Sequence, residues 1–279
     1  MKLKIMEYNL LEGLSKHNDK KDIYEFDKKR MKLVLTAVKK FNPDILILCE
    51  ASFTPSHEKS KERFGIIIDY ARLFGYPYFC YGIRTDRDGS TILSRYPLKF
   101  EEYSMEKTSF VRCFIKIKNK KITLDVVHPH PRISAFDKMR FIKSVIRDKE
   151  KNYILAGDFN SPSPEDRYNR EKLVQAFRGM LKPWEGSAEK YVEKMLQGEM
   201  IEFIINSGLI DTYRATNKKK DFVFTNPTKL VAGVENSAMR LDYIFCSKEF
   251  KVLDAGIIKN KITDFASDHY PIYAVLEIK

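Results

Sequence analysis

Eight residues of this 279-residue chain have types and settings suited to chemistry: Asn9, Glu50, His128, Asp158, Asn160, Asp242, Asp268 and His269. Each lies at or beside a short apolar run of strand character. Residues 152–156 lead into Gly157-Asp158-Phe159-Asn160, and residues 270–278 follow Ser267-Asp268-His269. Short polar residues at the tip of a buried strand make poor core. They make good site material, because a rigid element fixes their geometry. Four carboxylates, two amides and two imidazoles suit a hard cation together with an anionic substrate. Hydrolysis of a phosphoester needs a positioned water, a base for its proton, and donors for the charge on the phosphoryl oxygens. Asp242 stands between Leu241 and Tyr243 in an apolar strand, where an unpaired carboxylate is costly, and His269 is a partner that would relieve the cost. Taken singly, Asp158 and Asn160 also fit a plain turn, and Glu50 a strand-end or helix-start charge. Their company argues for chemistry.

The elements that must position these residues follow from periodicity and breakers. Strands are expected at residues 2–8, 44–49, 77–83, 90–95, 99–105, 110–118, 121–127, 152–156, 241–246, about 252–258, and 270–278. Helices are expected at 23–41, stopped by Asn42-Pro43, at 58–74, at 134–149, and broken across 165 to about 206. Regular strand–helix alternation is missing. The pattern implies an α/β (α+β) protein with two mostly antiparallel sheets packed face to face and helices outside, a four-layer αββα sandwich. The polar strand ends fall in both halves. If they form one site, residues 1–279 are a single domain, with a helical insert at about 161–206.

Lysine and arginine number 50 against 38 aspartates and glutamates, a formal net charge of +12. That excess suits an anionic partner such as nucleic acid, a phosphorylated metabolite or an acidic membrane surface, although many of the lysines read as solvated helix faces. The four cysteines, Cys49, Cys80, Cys113 and Cys246, all lie in apolar strand-like runs without Cys-x-x-Cys spacing. They read as buried reduced thiols, which points to the cytoplasm. The first residues begin like a signal peptide, but Glu7 and Asn9 interrupt the apolar run too early. No apolar stretch is long enough to span a membrane.

The polar tips sit in phrases whose order resembles the endonuclease/exonuclease/phosphatase superfamily. These are Tyr8-Asn9, Pro43-Asp44 leading to Glu50, Leu93-Ser94-Arg95-Tyr96-Pro97, Val127-His128, Gly157-Asp158-Phe159-Asn160, Arg240-Leu241-Asp242-Tyr243-Ile244 and Asp268-His269-Tyr270-Pro271-Ile272. The resemblance covers essentially the whole chain and implies a cofactor, Mg²⁺, with Mn²⁺ as a substitute. It implies that Glu50 is the main metal ligand, with Asn9 beside it and Asp268 assisting. Asp158 resembles the residue that orients and deprotonates the attacking water, and Asn160 a phosphate donor that also holds this geometry. His269 resembles the histidine that stabilises the phosphoryl oxygens, with Asp242 orienting it. His128 matches a histidine near the leaving group. Arg84, Arg112 and His130 are further candidates for binding phosphate.

Departures bear on the substrate. Abasic-site endonucleases of this superfamily continue the Gly-Asp-x-Asn phrase with an Ala-His step, whereas here Ser161-Pro162-Ser163-Pro164 follows. Their aromatic-rich stretch before the Leu-Asp-Tyr step is replaced by Val234-Glu235-Asn236-Ser237-Ala238-Met239. The stretch between Asn160 and Arg240 holds Trp184 and Lys218-Lys219-Lys220 and is a candidate for setting substrate choice; core packing for Trp184 and a solvated loop for the lysines are the favoured alternative. The leading expectation is a monomeric magnesium-dependent phosphodiesterase that cleaves nucleic acid. The alternatives are a hydrolase of a small phosphorylated metabolite or lipid head group, and an inactive nucleic-acid-binding module of the same fold.

Overall fold

The computed structural model describes residues 1–18, 23–53, 71–82, 88–105, 108–182, 186–217, 222–231 and 233–278. In chain order the main elements are β1 (Lys2–Asn9), β2 (Ser15–Asn18), β3 (Ile23–Phe26), α1 (Lys28–Phe41), β4 (Ile45–Phe53), β5 (Tyr78–Gly82), β6 (Asp88–Ser94), β7 (Leu98–Met105), β8 (Thr108–Ile117) and β9 (Lys120–Val127). Then come α2 (Ala135–Arg147), β10 (Tyr153–Asp158), α3 (Arg170–Met180), α4 (Ala188–Leu196), α5 (Glu199–Asn206), β11 (Ile210–Asp211), α6 (Thr212–Thr216), β12 (Asp242–Cys246), β13 (Phe250–Ile257) and β14 (Ile272–Ile278). One six-stranded sheet runs β13-β14-β1-β4-β6-β5, and a second runs β11-β12-β10-β9-β8-β7. Each is mixed, with one parallel pair at its centre, β1 with β4 and β9 with β10, and antiparallel pairing elsewhere.

Side-chain alternation sorts the strands into layers. Leu3, Ile5, Ile45 and Ile47 of the first sheet meet Ile122, Leu124, Ile154 and Ile244 of the second in a dry inter-sheet core. On the outer face of the first sheet, Met6, Tyr8, Leu46 and Leu48 pack under Val34 and Val38 of α1. On the outer face of the second, Leu155, Tyr243 and Phe245 meet Phe141 and Val145 of α2 and Ile201 and Ile204 of α5. The order is therefore helix, sheet, sheet, helix. Burial on both faces explains why the central strands read as unbroken apolar runs. No helix among the described residues is long and apolar enough to cross a membrane.

Several element boundaries differ from expectation. Residues 23–41 are not one helix. Ile23–Phe26 pairs with Ser15–Asn18 as a hairpin, and α1 begins only after Asp27, whose carboxylate accepts from the N–H groups of Lys29 and Arg30. The N-cap outweighs the helical spacing of Ile23. The helical stretch from 165 begins at Arg170 instead, because Asp166 is drawn inward to Arg240 and Arg214. Much of the expected helix at 58–74, together with Trp184 and Lys218-Lys219-Lys220, lies outside the described residues.

Two parallel central pairs send the C-terminal ends of β1, β4, β9 and β10 to the same edge of the sandwich. The antiparallel β12 and β14 start at that edge. Asn9, Glu50, His128, Asp158, Asp242 and His269 are carried there by topology.

Candidate active site

The phrase at the end of β10 is built by its neighbours. Gly157 has φ +137°, and a Cβ there would lie 2.0 Å from the Val127 carbonyl oxygen, so the position requires glycine. Phe159 is fully buried outward, with its ring edge-on to Tyr243 and Phe245 at 5.5 Å. Alternation then turns Asp158 inward. Asn160 takes φ +47°, donates its N–H to Asp158 Oδ1 at 2.8 Å and its side-chain amide to the Pro129 carbonyl at 3.1 Å. From α2, Lys138 donates Nζ to the Asn160 carbonyl at 2.6 Å, and burial pulls its pKa down to about 8.

The first sheet supplies the opposite wall. Asn9 Nδ2 lies 3.1 Å from both Glu50 Oε1 and Asp158 Oδ2, while Asn9 Oδ1 accepts from Leu11 N–H. Glu50 sits in a β4 bulge with φ +56°, where the pairing with β6 slips between Cys49 and Ser52. The bulge turns Glu50 toward Asn9 within β4, and the N–H of Glu12 donates to its Oε2 at 2.6 Å. Arg30 of α1 ties the adjoining loops together by donating to the carbonyls of Leu10 and Ala266.

The two histidines face Asp158. His128 Nε2 is 3.6 Å from Asp158 Oδ2 and 3.8 Å from Glu50 Oε1. His269 Nε2 is 3.8 Å from the same Asp158 oxygen, and its Nδ1 bonds Asp242 Oδ2 at 2.8 Å. Thr225, fully buried, accepts the N–H groups of Leu241 and Asp242 and so fixes the start of β12. The carbonyl of Asp268 accepts from Thr228 N–H and Asn226 Nδ2, and its carboxylate from Ser267 Oγ.

Electrostatics follow from this crowding. Burial, reinforced by the Asp242 carboxylate, pushes Asp158 up to about 6, while His269, His128 and the Asn160 N–H pull it back. Burial also raises Asp268 against the pull of His269. Burial opposes charge on His269, but Asp242, Asp268 and Asp158 outweigh it and hold the imidazole well above its ordinary pKa. The arrangement therefore favours an imidazolium held by one carboxylate and facing a second carboxylate raised to about 6.

One layer beneath Asn9, Glu7 is fully buried, and its oxygens make no hydrogen bond within normal limits among the described residues. Burial, then Asp242 and Asp158, push its pKa far up, with the Cys49 thiol near enough to oppose slightly. Sequence reasoning missed Glu7, Lys138, Arg30 and Thr225. For Lys138 a signal existed, since it shares the apolar face of α2 with Phe141, Ile142 and Val145.

Two candidates do not join this group. Arg112 is buried under α2, where it donates to Asp125 Oδ1 and Oδ2 at 2.8 and 2.7 Å and to the Val145 carbonyl, so its guanidinium is committed to holding β8 and β9 to the helix. His130 is half-buried in the loop after His128, and its Nδ1 accepts the N–H of Arg132 at 3.1 Å. Arg84 lies outside the described residues.

Glu50 offers carboxylate oxygens that suit a hard divalent cation, whereas Asn9 meets Glu50 through Nδ2 and gives its Oδ1 to Leu11 N–H. Asp158, Asp242 and His269 also offer ligand atoms within 4.8 Å of one another. One acceptor, Asp242 Oδ1, is buried without a hydrogen-bond partner among the described residues.

No curated protein matches the chain by sequence. Among solved structures, an endonuclease/exonuclease/phosphatase family protein from Leptotrichia buccalis is similar at 18% identity and TM-score 0.64, over 99% of this chain and 100% of that one. The 3′ phosphatase NExo from Neisseria, bound to a product DNA hairpin, is similar at 15% identity and TM-score 0.63, over 99% of each chain. An AP endonuclease from Archaeoglobus fulgidus is similar at 18% identity and TM-score 0.62, over 99% and 100%. These likenesses establish the fold. The model of the Endonuclease/Exonuclease/phosphatase family matches residues 6–269, which run from just before Asn9 to His269. The chain belongs to this family, whose members are metal-dependent phosphoric ester hydrolases.

Proposed function

We propose that the protein is a magnesium-dependent phosphodiesterase that cleaves nucleic acid, working as a monomer in the cytoplasm. The observation that carries this reading is the pairing of His269 with Asp242 at 2.8 Å, aimed at an Asp158 held at about 6. In this reading Glu50, Asn9 and Asp268 hold the cation, which supplies Lewis-acid polarisation of a phosphoryl oxygen when bound. Asp158 Oδ2 takes the proton of the attacking water, and Asn9 and the Asn160 N–H fix the carboxylate that does so. His269, kept protonated by Asp242, offers Nε2–H to the charge that develops on the phosphoryl oxygens. In the same reading His128, whose Nε2 is 3.6 Å from the same Asp158 oxygen, serves the leaving group. Asn160 holds geometry through Asp158 and Pro129 and offers its remaining amide hydrogen to phosphate.

Nucleic acid is favoured as substrate by the net charge of +12. The DNA bound by the Neisseria phosphatase is in keeping with it. The test is a panel of DNA, RNA, bis(p-nitrophenyl) phosphate and small phosphomonoesters with Mg²⁺ or Mn²⁺, with EDTA and Asp158→Asn as controls. Metal-dependent cleavage of polynucleotide, lost in both controls, is expected. Turnover confined to small phosphoesters would favour a metabolite or head-group hydrolase. Tight nucleic-acid binding without turnover in any metal would mark an inactive binding module. On polynucleotide, affinity should fall by ~0.9 log units per log unit of salt for each phosphate contacted, and a flat response would count against nucleic acid.

A further inference from the structure

β5 stands last in the strand order of the first sheet, beside β6. Its inward face meets β8 of the second sheet. A Cβ built on Gly82 would lie 1.9 Å from Val111 Cγ2, so this crossing leaves no room for even a methyl group. Two residues away along each strand, Cys80 Sγ lies 3.2 Å from Cys113 Sγ. One sulfur belongs to each sheet, and the residues are 2% and 0% exposed. Disulfide closure needs about 2.05 Å between sulfurs, so roughly 1 Å of side-chain rotation and strand adjustment completes it. We infer that Cys80 and Cys113 are a disulfide-forming pair that staples the two sheets together, at a modification site distinct from the catalytic edge.

The oxidant is a peroxide or a small-molecule disulfide. With hydrogen peroxide, the Cys80 thiolate attacks one oxygen to give a sulfenic acid and water. The Cys113 sulfur then displaces hydroxide from the Cys80 sulfur, and a second water leaves as the S–S bond forms. The two thiols lose two electrons and two protons, and the peroxide is reduced to two waters. With a small-molecule disulfide, Cys80 forms a mixed disulfide and releases one thiol, and Cys113 releases the second. The neighbouring Cys80 sulfur and burial keep the Cys113 thiol protonated. Reaction in the native state therefore depends on local opening of β5, the terminal strand of its sheet among the described residues.

The experiment has two arms. The native protein is incubated with hydrogen peroxide, and the urea-unfolded protein is refolded with oxidised glutathione. Each sample is then alkylated under denaturing conditions and mapped without reduction. A peptide pair joining Cys80 to Cys113 in either arm, with loss of two of the four titratable thiols, is the expected result. Cys80→Ser and Cys113→Ser should each abolish it. Because the bond closes a loop between residues 33 apart, the linked protein should melt about 5–10 °C above the dithiothreitol-treated sample. Four alkylatable thiols in both arms, or a linkage involving Cys49 or Cys246 instead, would overturn the inference.

Discussion

Replacing Asp158 with asparagine should abolish activity and at the same time stabilise the metal-free protein, but only at high pH. Asp158 has an ordinary value of 3.8 and is pushed up to about 6 in the folded state. A group raised on folding contributes its full stability below its unfolded value and loses it as pH rises through the folded value. The ionised carboxylate is therefore no burden at pH 4. The cost grows from about pH 4 to pH 6 and is constant above that, at about 3 kcal/mol for this gap. Asparagine avoids the cost and can still accept the Asn160 N–H through its oxygen. Its amide nitrogen, however, would face Asn9 Nδ2 where Asp158 Oδ2 accepts at 3.1 Å, which returns about 1 kcal/mol. The net gain is about 2 kcal/mol, or about 3–4 °C in Tm for a chain of this size. The assay is thermal melting of wild type and Asp158→Asn in EDTA at pH 4, 6 and 8, beside turnover of bis(p-nitrophenyl) phosphate with Mg²⁺. A melting difference that is the same at pH 4 and pH 8 would refute the electrostatic reasoning, even if activity is lost.

Three further expectations follow from the same geometry. Asp242→Asn, which keeps shape but loses the charge that holds His269, should lower kcat by ~10²–10⁴, with melting at pH 7 changed little; steady-state kinetics retaining more than a third of wild-type kcat would contradict the assignment. Lys138→Met removes a charge-assisted bond to the Asn160 carbonyl and should lower kcat about tenfold or more with KM within about twofold. Partial recovery with Lys138→Arg separates this positioning from general loss of packing. Gly157→Ala must place a methyl group 2.0 Å from the Val127 carbonyl at a φ of +137°, so it should cost more than about 3 kcal/mol and appear as loss of soluble protein or a Tm lowered by more than about 6 °C.

The polar strand tips could be read from the sequence because they interrupt apolar runs, and the family resemblance, with the cost of an unpaired carboxylate beside it, paired Asp242 with His269. What escaped notice did so for definite reasons. Lys138 sits in a basic helix with Arg140, Lys143 and Arg147, where one inward-facing lysine resembles its solvated neighbours until its register with Phe141 and Val145 is drawn. Glu7 follows the alternation of Leu3 and Ile5, which in a sheet covered on both faces does not separate wet from dry positions. Arg112 was a reasonable phosphate ligand by type, yet the hairpin of β8 and β9 places Asp125 directly opposite it. That register was within reach of the turn at Asn119-Lys120. The bulge at Glu50 and the hairpin at Ser15–Phe26 depend on long-range pairing and capping that local periodicity does not carry.

The position of β14 has a consequence for how the protein comes into being. It lies between β13 and β1, so the first sheet stays open along one side of its N-terminal strand until residue 278 has been made. His269 arrives just ahead of that strand, and Asn9 must wait for Asp158, a partner 149 residues away. During synthesis at ~5–20 residues per second, a nascent chain would pass many seconds with half of a catalytic centre and no means of using it. Hydrolysis should therefore begin only when β14 is inserted, and appearance of activity during translation or refolding would time that insertion directly.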